Sequence, residues 1–419
     1  MKKALALLLL SGALFSLFAA SATEAVGPGQ AREPWDGVRG GMAGAGEALV
    51  DRMTASPVAA ARGAFNDKTA FLLSASYEEA AAERHGAREA LDGFDLGLVG
   101  FSVPVGFLGH VGLFYWPRST RNLDFEEGGS SWSVKGGIQE LTAAWSFRVP
   151  WVPRLALGLA WRQDLGAETM EMEIPLDPTA EDPVDASSSL DYTHTIRTSG
   201  GRPGASLFWM GRLLSLSAWW SSSYEVKRKL ERTAIVQENL GVFGYSAPMF
   251  SSDRPKEVKS SSESWNQKMP WSAGAALSLR LTRTQSLNLD FHQDSWGTVS
   301  GGWIEPATPY SARTSTELET ARRFSLGWSY EGSGRTYESF WRQSRYRAGV
   351  RWADLAAPGT QEIAGAFGCG FPLGRRGALV DLAFEGGLRY GDDSPDETFL
   401  GIRFGMTGVG NWGQKSRRR

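Results

Sequence analysis

From Ala378 to Tyr390 the chain reads ALVDLAFEGGLRY, and its residues sort by parity into two sets. Val380, Leu382, Phe384, Leu388 and Tyr390 make one; Asp381, Ala383, Glu385, Gly387 and Arg389 make the other. After GDDSPDE, Leu400, Ile402, Phe404 and Met406 alternate in the same way with Phe399, Gly401, Arg403 and Gly405. Successive side chains of a strand point to opposite faces, so each segment reads as a strand with one apolar face. The second face decides which architectures remain. A soluble sandwich turns charged residues to water outside and apolar ones to a core. A membrane barrel reverses this, with apolar residues toward lipid and small or charged residues toward the lumen.

The pattern recurs through the chain. Leu155, Leu157, Leu159 and Trp161 alternate with Ala156, Gly158, Ala160 and Arg162. Leu287, Leu289 and Phe291 alternate with Asn288, Asp290 and His292. Fourteen strands are expected, near 68–77, 94–105, 109–120, 138–149, 154–166, 204–210, 213–226, 272–282, 285–293, 322–330, 337–352, 362–372, 377–390 and 398–408. Their connections run long, short, long, short to the end, with long ones near 78–93, 121–137, 167–203, 227–271, 294–321, 353–361 and 391–397. Short turns on one side and longer loops on the other are the wiring of outer-membrane barrels. The sequence therefore predicts an all-β fold, a transmembrane antiparallel β-barrel over 68–408, and a basic tail over 409–419. High counts of Gly (50) and Trp (17) suit close-packed lumen faces and interfacial aromatic belts.

Residues 1–22 have the form of a secretory signal: Lys2 and Lys3, an apolar run from Ala4 to Phe18, and a small-residue site at Ala20-Ser21-Ala22. Past residue 22 no apolar stretch approaches the ~20 residues of a membrane-spanning helix. The expected location is the outer membrane of a Gram-negative-type bacterium, with its lipid as a partner. Charged residues make up 21% of the chain and the net charge is −2, so nothing points to nucleic acid. Cys369 is the sole cysteine, which excludes an intramolecular disulfide.

Residues 23–67 do not alternate and are rich in Gly, Ala and Pro. Their glycines lack the preceding strand and the GK[ST] of a phosphate loop, and a compact segment filling a barrel mouth fits better. The four histidines fall at no ligand or triad spacing, and no nucleophile-elbow, H-E-x-x-H or paired-Cys pattern occurs, so neither catalysis nor a metal or other cofactor is expected. His292 beside Asp290 reads as a polar lumen residue. Asp381, Glu385, Arg389 and Arg403, also on the lumen register, are expected to form ion pairs across strands. The stretch 240–250 (LGVFGYSAPMF), followed by Trp265, reads as an apolar cluster in an outer loop, either a capture patch or a loop core. The run YEVKRKLER at 224–232 reads as a strand extension above the membrane.

Three stretches together resemble the FadL/TodX family of outer-membrane transporters for hydrophobic compounds. In GVRGGMAGAGEALVDRMTASPVAAARG, residues Gly41, Met42, Gly44, Ala45, Gly46 and Ala48 match the family's "G-M-G-G-A-G-x-A" run, and Ser56-Pro57-Val58 stands where Asn-Pro-Ala is usual. EIAGAFGCGFPLGRRGALVDLAFEGGLRYG and the close DETFLGIRFGMTGVGNWGQKSRRR are similar to the C-terminal runs of distant branches. The resemblance implies a fourteen-stranded barrel with an N-terminal hatch, gated around Gly41, Met42, Gly44, Gly46, Ser56, Pro57 and Val58. It also implies passive passage of a hydrophobic small molecule such as a long-chain fatty acid. The ligand is captured between outer loops, for which the sequence offers Phe243, Tyr245, Met249, Phe250 and Trp265, and leaves through a lateral opening. Some branches resemble scaffolds or shuttles for secreted or surface proteins, and a general porin is a third reading. The altered hatch turn and the basic tail depart from the family pattern.

Overall fold

The computed structural model describes residues 21, 28–50, 55–84, 87–127, 130–175, 188–238, 256–299, 301–305, 314–333, 338–373, 378–391 and 396–410. Fourteen antiparallel strands close into a barrel. They are β1 (Thr69–Arg84), β2 (Ala87–Pro104), β3 (His110–Glu127), β4 (Ser130–Arg148), β5 (Leu155–Pro175), β6 (Ser188–Met210) and β7 (Leu214–Ser221 with Tyr224–Glu238). There follow β8 (Lys256–Met269 with Ser272–Arg280), β9 (Gln285–Asp294), β10 (Ala321–Tyr330), β11 (Arg345–Asp354), β12 (Thr360–Leu373), β13 (Ala378–Gly391) and β14 (Asp396–Gly410). Closure is made by β14 on β1, in continuous register from Asp396↔Glu83 to Gly410↔Thr69. The expected count of fourteen is what the chain forms.

The alternation sets the wall. On β14, Leu400, Ile402 and Phe404 are exposed outward, Leu400 at 69%. On β13, Phe384 and Leu388 face out while Asp381, Ala383 and Arg389 are buried inside. On β5 and β9 the exposed Leu159, Trp161 and Leu289 alternate with buried Ala156, Arg162, Asn288 and Asp290. A closed wall with apolar side chains outside and charged ones inside is a membrane-spanning barrel. No described helix is long and apolar enough to cross a membrane.

The strands run well past the apolar band, and several expected boundaries are corrected. The segment at 204–210 is the end of β6, which has 23 residues. The stretches 167–203 and 227–271, read as loops, are largely strand: β7 and β8 pair from Lys256↔Val236 to Met269↔Tyr224. The strand expected at 337–352 begins at Arg345, and a single helical turn, Phe340–Gln343, precedes it.

One stretch of the wall is not zipped. β2 and β3 pair from Pro104↔His110 to Val99↔Tyr115 and no further, although both strands continue. Beyond that point Gln30 and Ala31 pair instead with Thr120 and Ser119 of β3. Pro117 sits where the β2–β3 ladder stops, and the β3–β4 register shifts between Pro117 and Ser119. Proline has no N–H to donate, so a strand carrying it becomes an edge there.

Candidate functional site

The site is the seam between β2 and β3, the N-terminal segment that runs from it into the barrel, and the cavity beside that segment. At the seam the Arg32 N–H donates to the Arg118 carbonyl at 2.8 Å. The Arg32 side chain reaches three strands. It meets Glu78 of β1 at 3.2 Å and Asp95 of β2 at 2.8 Å, and donates to the Thr120 hydroxyl of β3 at 3.1 Å. Gln30 donates to Glu78 at 3.3 Å. Ser74, at a bulge in the β1–β2 ladder, accepts the Leu98 N–H at 2.7 Å and donates to the Trp35 carbonyl at 3.1 Å.

From Trp35 the segment turns inward. Asp36 caps a four-residue helical turn, α1 (Gly37–Gly40), by accepting the Arg39 N–H at 2.9 Å. Arg39 is almost fully buried, ion-paired with Asp36 and Glu47, and donates to Ser56 at 3.2 Å. Burial pushes the Asp36 carboxyl up, but Arg39, and Arg62 farther off, more than offset this and hold it below the usual carboxylate value. Past α1 the backbone lies directly on the wall. A Cβ on Gly349 of β11 would stand 2.3 Å from the Met42 carbonyl oxygen, and one on Gly368 of β12 would stand 2.8 Å from the Gly41 Cα. No other residue fits at those inward positions without moving the segment.

The expected hatch residues occupy this inner segment. Met42 is wholly buried with Val38, Ala45 and Leu49. Gly44 and Gly46 hold positive φ of 93° and 117°, the region that favours glycine. The Gly46 and Glu47 N–H groups both donate to Asp290 of β9, at 3.0 and 2.9 Å. The Ser56 hydroxyl accepts the N–H groups of Val58 and Ala59 at 3.1 and 3.0 Å, so the Ser56-Pro57-Val58 turn carries its own cap. Arg162 donates to the Val58 carbonyl at 3.2 Å, and Ala61 donates to Ser206 at 2.9 Å.

The expected lumen residues fall into two groups. Asp381, Glu385 and Arg389 join a chain of charge around the inside of the wall. Arg347 of β11 pairs with Asp381 of β13 across β12, Arg351 with Glu385 and with Glu362 at 2.7 Å, and Arg389 with Glu362, Glu78 and Glu397. Gly370 lies between Arg347 and Asp381, and a Cβ there would fall 2.5 Å from the Asp381 carboxylate. His292 accepts from the Trp219 indole at 3.2 Å and sits 3.4 Å from Asp294, while Asp290 serves the inner segment instead. Arg403 differs from the expectation. It has no carboxylate within ion-pair distance among the described residues, and its Nε is buried without a hydrogen-bond partner.

Of the expected capture residues, only Trp265 is among the described residues. Phe243, Tyr245, Met249 and Phe250 lie outside the described residues. Trp265 is a correction: it sits on β8, not in an outer loop, and its buried ring packs with Ile196 and Leu230. Strand alternation points it inward, and the Arg228 guanidinium lies 5.4 Å from its ring and 4.4 Å from that of Trp303. Trp303 belongs to a segment folded over the lumen, where Trp296, Trp303 and Leu318 pack with Ile138, Val226 and Met269. Between this cluster and the N-terminal segment is a cavity of about 200 Å³. Trp116, Ile138, Met269 and Trp296 line part of it, and more arginines than carboxylates line the rest.

Sequence reasoning missed Arg32, Trp35 and Pro117. Pro117 carried a usable signal, since proline inside an alternating run marks an edge. Trp35 and Arg32 carried none, lying where nothing alternates.

A scan against protein-family models and a search of curated proteins each found no match. Solved structures do match. A FadL homologue from Pseudomonas aeruginosa superposes with a TM-score of 0.66 at 13% identity, over 92% of this chain and 100% of that one. The Pseudomonas putida toluene transporter TodX matches at 0.59 with 14% identity, over 91% and 98% of the two chains. The Ralstonia pickettii toluene transporter TbuX matches at 0.56 with 12% identity, over 90% and 98%. The chain has the barrel fold of these FadL- and TodX-type transporters.

Proposed function

We propose that this barrel carries hydrophobic small molecules passively across an outer membrane, with the β2–β3 seam as its lateral exit. The observation that carries the reading is the seam itself. A bilayer-spanning wall must satisfy its backbone groups internally, yet here a ladder between neighbouring strands stops and the N-terminal segment takes its place at Gln30 and Ala31. An apolar solute leaving through such a gap enters lipid without crossing water. Residues 1–22 supply the export signal, the short turns face the periplasm, and residues 23–67 act as the hatch. The names of the structural neighbours, two of them toluene transporters, support the substrate class. The run at 240–250, with Phe243, Tyr245, Met249 and Phe250, remains the proposed capture patch; Trp265 acts as part of the lumen wall.

The test locks the seam. Ala31 and Ser119 are paired across it, and paired residues of antiparallel strands lie within disulfide reach. Ala31→Cys with Ser119→Cys, in a Cys369→Ser background, is reconstituted in liposomes and toluene uptake is followed. Oxidation is expected to stop uptake and reduction to restore it. Equal uptake in both states sinks the seam as the route.

A further inference from the structure

The outer face of the wall carries charge where it leaves the apolar band, and the charge is unevenly spread. Across β5 to β8, Leu165, Ser199, Lys227 and Asn266 form one row of paired residues. All four are exposed, so apolar surface gives way to polar within this row. Trp161 of β5 and Trp220 of β7 lie half-exposed on its short-turn side, as interfacial aromatics do. In the next row outward Arg197 is opposite Lys229, and both side chains are more than half exposed. Glu231 serves this pair jointly, at 3.8 and 2.7 Å. Glu225 accepts from Asn266 at 3.2 Å and is opposite Lys268. Lys227, between the two carboxylates, has none within ion-pair distance among the described residues. Lys227 and Lys229 share a face, and Arg197 is a diagonal neighbour of Lys227, within reach for long side chains. Farther out the same face carries hydroxyls, Thr193 and Thr195 on β6 and Ser262 and Ser264 on β8. Nearer the seam the sign reverses. Glu79 of β1 is directly opposite Asp92 of β2, beyond the exposed Tyr77 and Phe94, a like-charge pairing that is destabilising by itself and repels anions.

We propose that the outer face of β5 to β8 binds a phosphorylated glycolipid of the outer leaflet. Its phosphate rests among Arg197, Lys227 and Lys229, its sugars lie along the hydroxyls beyond them, and its acyl chains run over Leu165, Trp161 and Trp220. Each lysine or arginine at a lipid surface adds attraction for an anionic headgroup, and a guanidinium matches phosphate oxygens with paired donors. A plain anionic phospholipid uses the cations and leaves the hydroxyl rows without partners. The seam side, with Glu79 and Asp92, is the side such a lipid avoids. The proposal rests on the outer-membrane orientation of the transport reading and is independent of the solute carried.

The experiment titrates the detergent-purified full barrel with three probes: bisphosphorylated lipid A, its dephosphorylated form, and phosphatidylglycerol. Bound lipid is counted by native mass spectrometry on the wild type, on Lys227→Gln with Lys229→Gln, and on Arg280→Gln as a control at the exposed short-turn end of β8. Lipid A is expected to bind the wild type and the control alike, and the other two probes to bind more weakly. The double variant is expected to weaken lipid A by about tenfold or more, since each lysine contributes to the attraction. Should the double variant fail to fold, Lys227→Gln alone carries the test, with a loss of about threefold or more. Equal binding of lipid A and its dephosphorylated form, or unchanged lipid A affinity in the lysine variants, overturns the proposal. Phosphatidylglycerol bound as tightly as lipid A overturns the glycolipid assignment. A wild-type barrel that carries toluene but does not bind lipid A overturns this site and leaves the transport reading standing. Lipid A binding without toluene uptake does the reverse.

Discussion

From β12 to β14 each strand is hydrogen-bonded to the next along almost its whole length, and buried arginines span the strands inside. Between β2 and β3 the ladder stops partway, and a three-strand contact from Arg32 of the N-terminal segment stands in for it. Both regions hold the wall with arginine, but with different consequences. Arg347 and Arg389 belong to the wall they brace, so losing one leaves a buried carboxylate and a weaker barrel. Arg32 belongs to a separate segment, so losing it leaves every barrel strand with its own neighbours. A bilayer barrel can hold a weak point where the substitute is removable and still remain closed elsewhere.

The sharpest test of the closed side is Arg347→Ala. Arg347 and Asp381 are both almost wholly buried, and breaking such a pair costs about 3–5 kcal/mol. Denaturant unfolding in bilayers should show that loss, and a change under 1 kcal/mol would mean the pair is wet and the contrast with the seam is false. Next is the lipid-facing side of the same strands. Leu400→Arg should cost about 2–4 kcal/mol if Leu400 lies near the bilayer midplane, and a near-neutral result would put it at an interface.

At the seam, Arg32→Ala should act on opening rather than on the fold. It removes charge-assisted hydrogen bonds of about 1.5–3 kcal/mol in sum of local stability, yet the unfolding midpoint of the barrel should move little. Toluene uptake should rise instead. A large drop in global stability with unchanged uptake would place Arg32 among the structural arginines and erase the distinction drawn here.

Much of the wall was legible because lipid and lumen are two different solvents, and alternation records the difference. Where the strands rise above the bilayer, both faces meet polar surroundings and the record fades. KEVKSSSESWNQKM at 256–269 is strand paired with β7 but has no apolar face, so it read as loop and carried Trp265 with it. The lumen register was visible in Asp381, Glu385, Arg389 and Arg403, since parity alone sets it. The partners were not, because Arg347 reaches Asp381 across an intervening strand and over Gly370, a meeting that barrel curvature creates. The glycines beneath the N-terminal segment, Gly349 and Gly368, stood in plain alternating runs and gave no sign that a backbone would rest on them.

The smallest expected effect bears most directly on why the seam exists. If Pro117 ends the β2–β3 ladder for want of an N–H, then Pro117→Val restores a donor and a residue that favours strands. The gain in stability should be only about 0.5–1 kcal/mol, the size of one net hydrogen bond, and is better read locally than globally. Hydrogen exchange on the β2 amides beyond Val99 should slow, and toluene uptake should fall, as pairing creeps up the seam and competes with Gln30 and Ala31 for β3. Unchanged exchange would shift the cause to the Arg118 bulge, whose carbonyl already accepts from Arg32. In that case the segment, whose backbone occupies the β3 edge at Thr120, Ser119 and Arg118, and not the proline, keeps the strands apart.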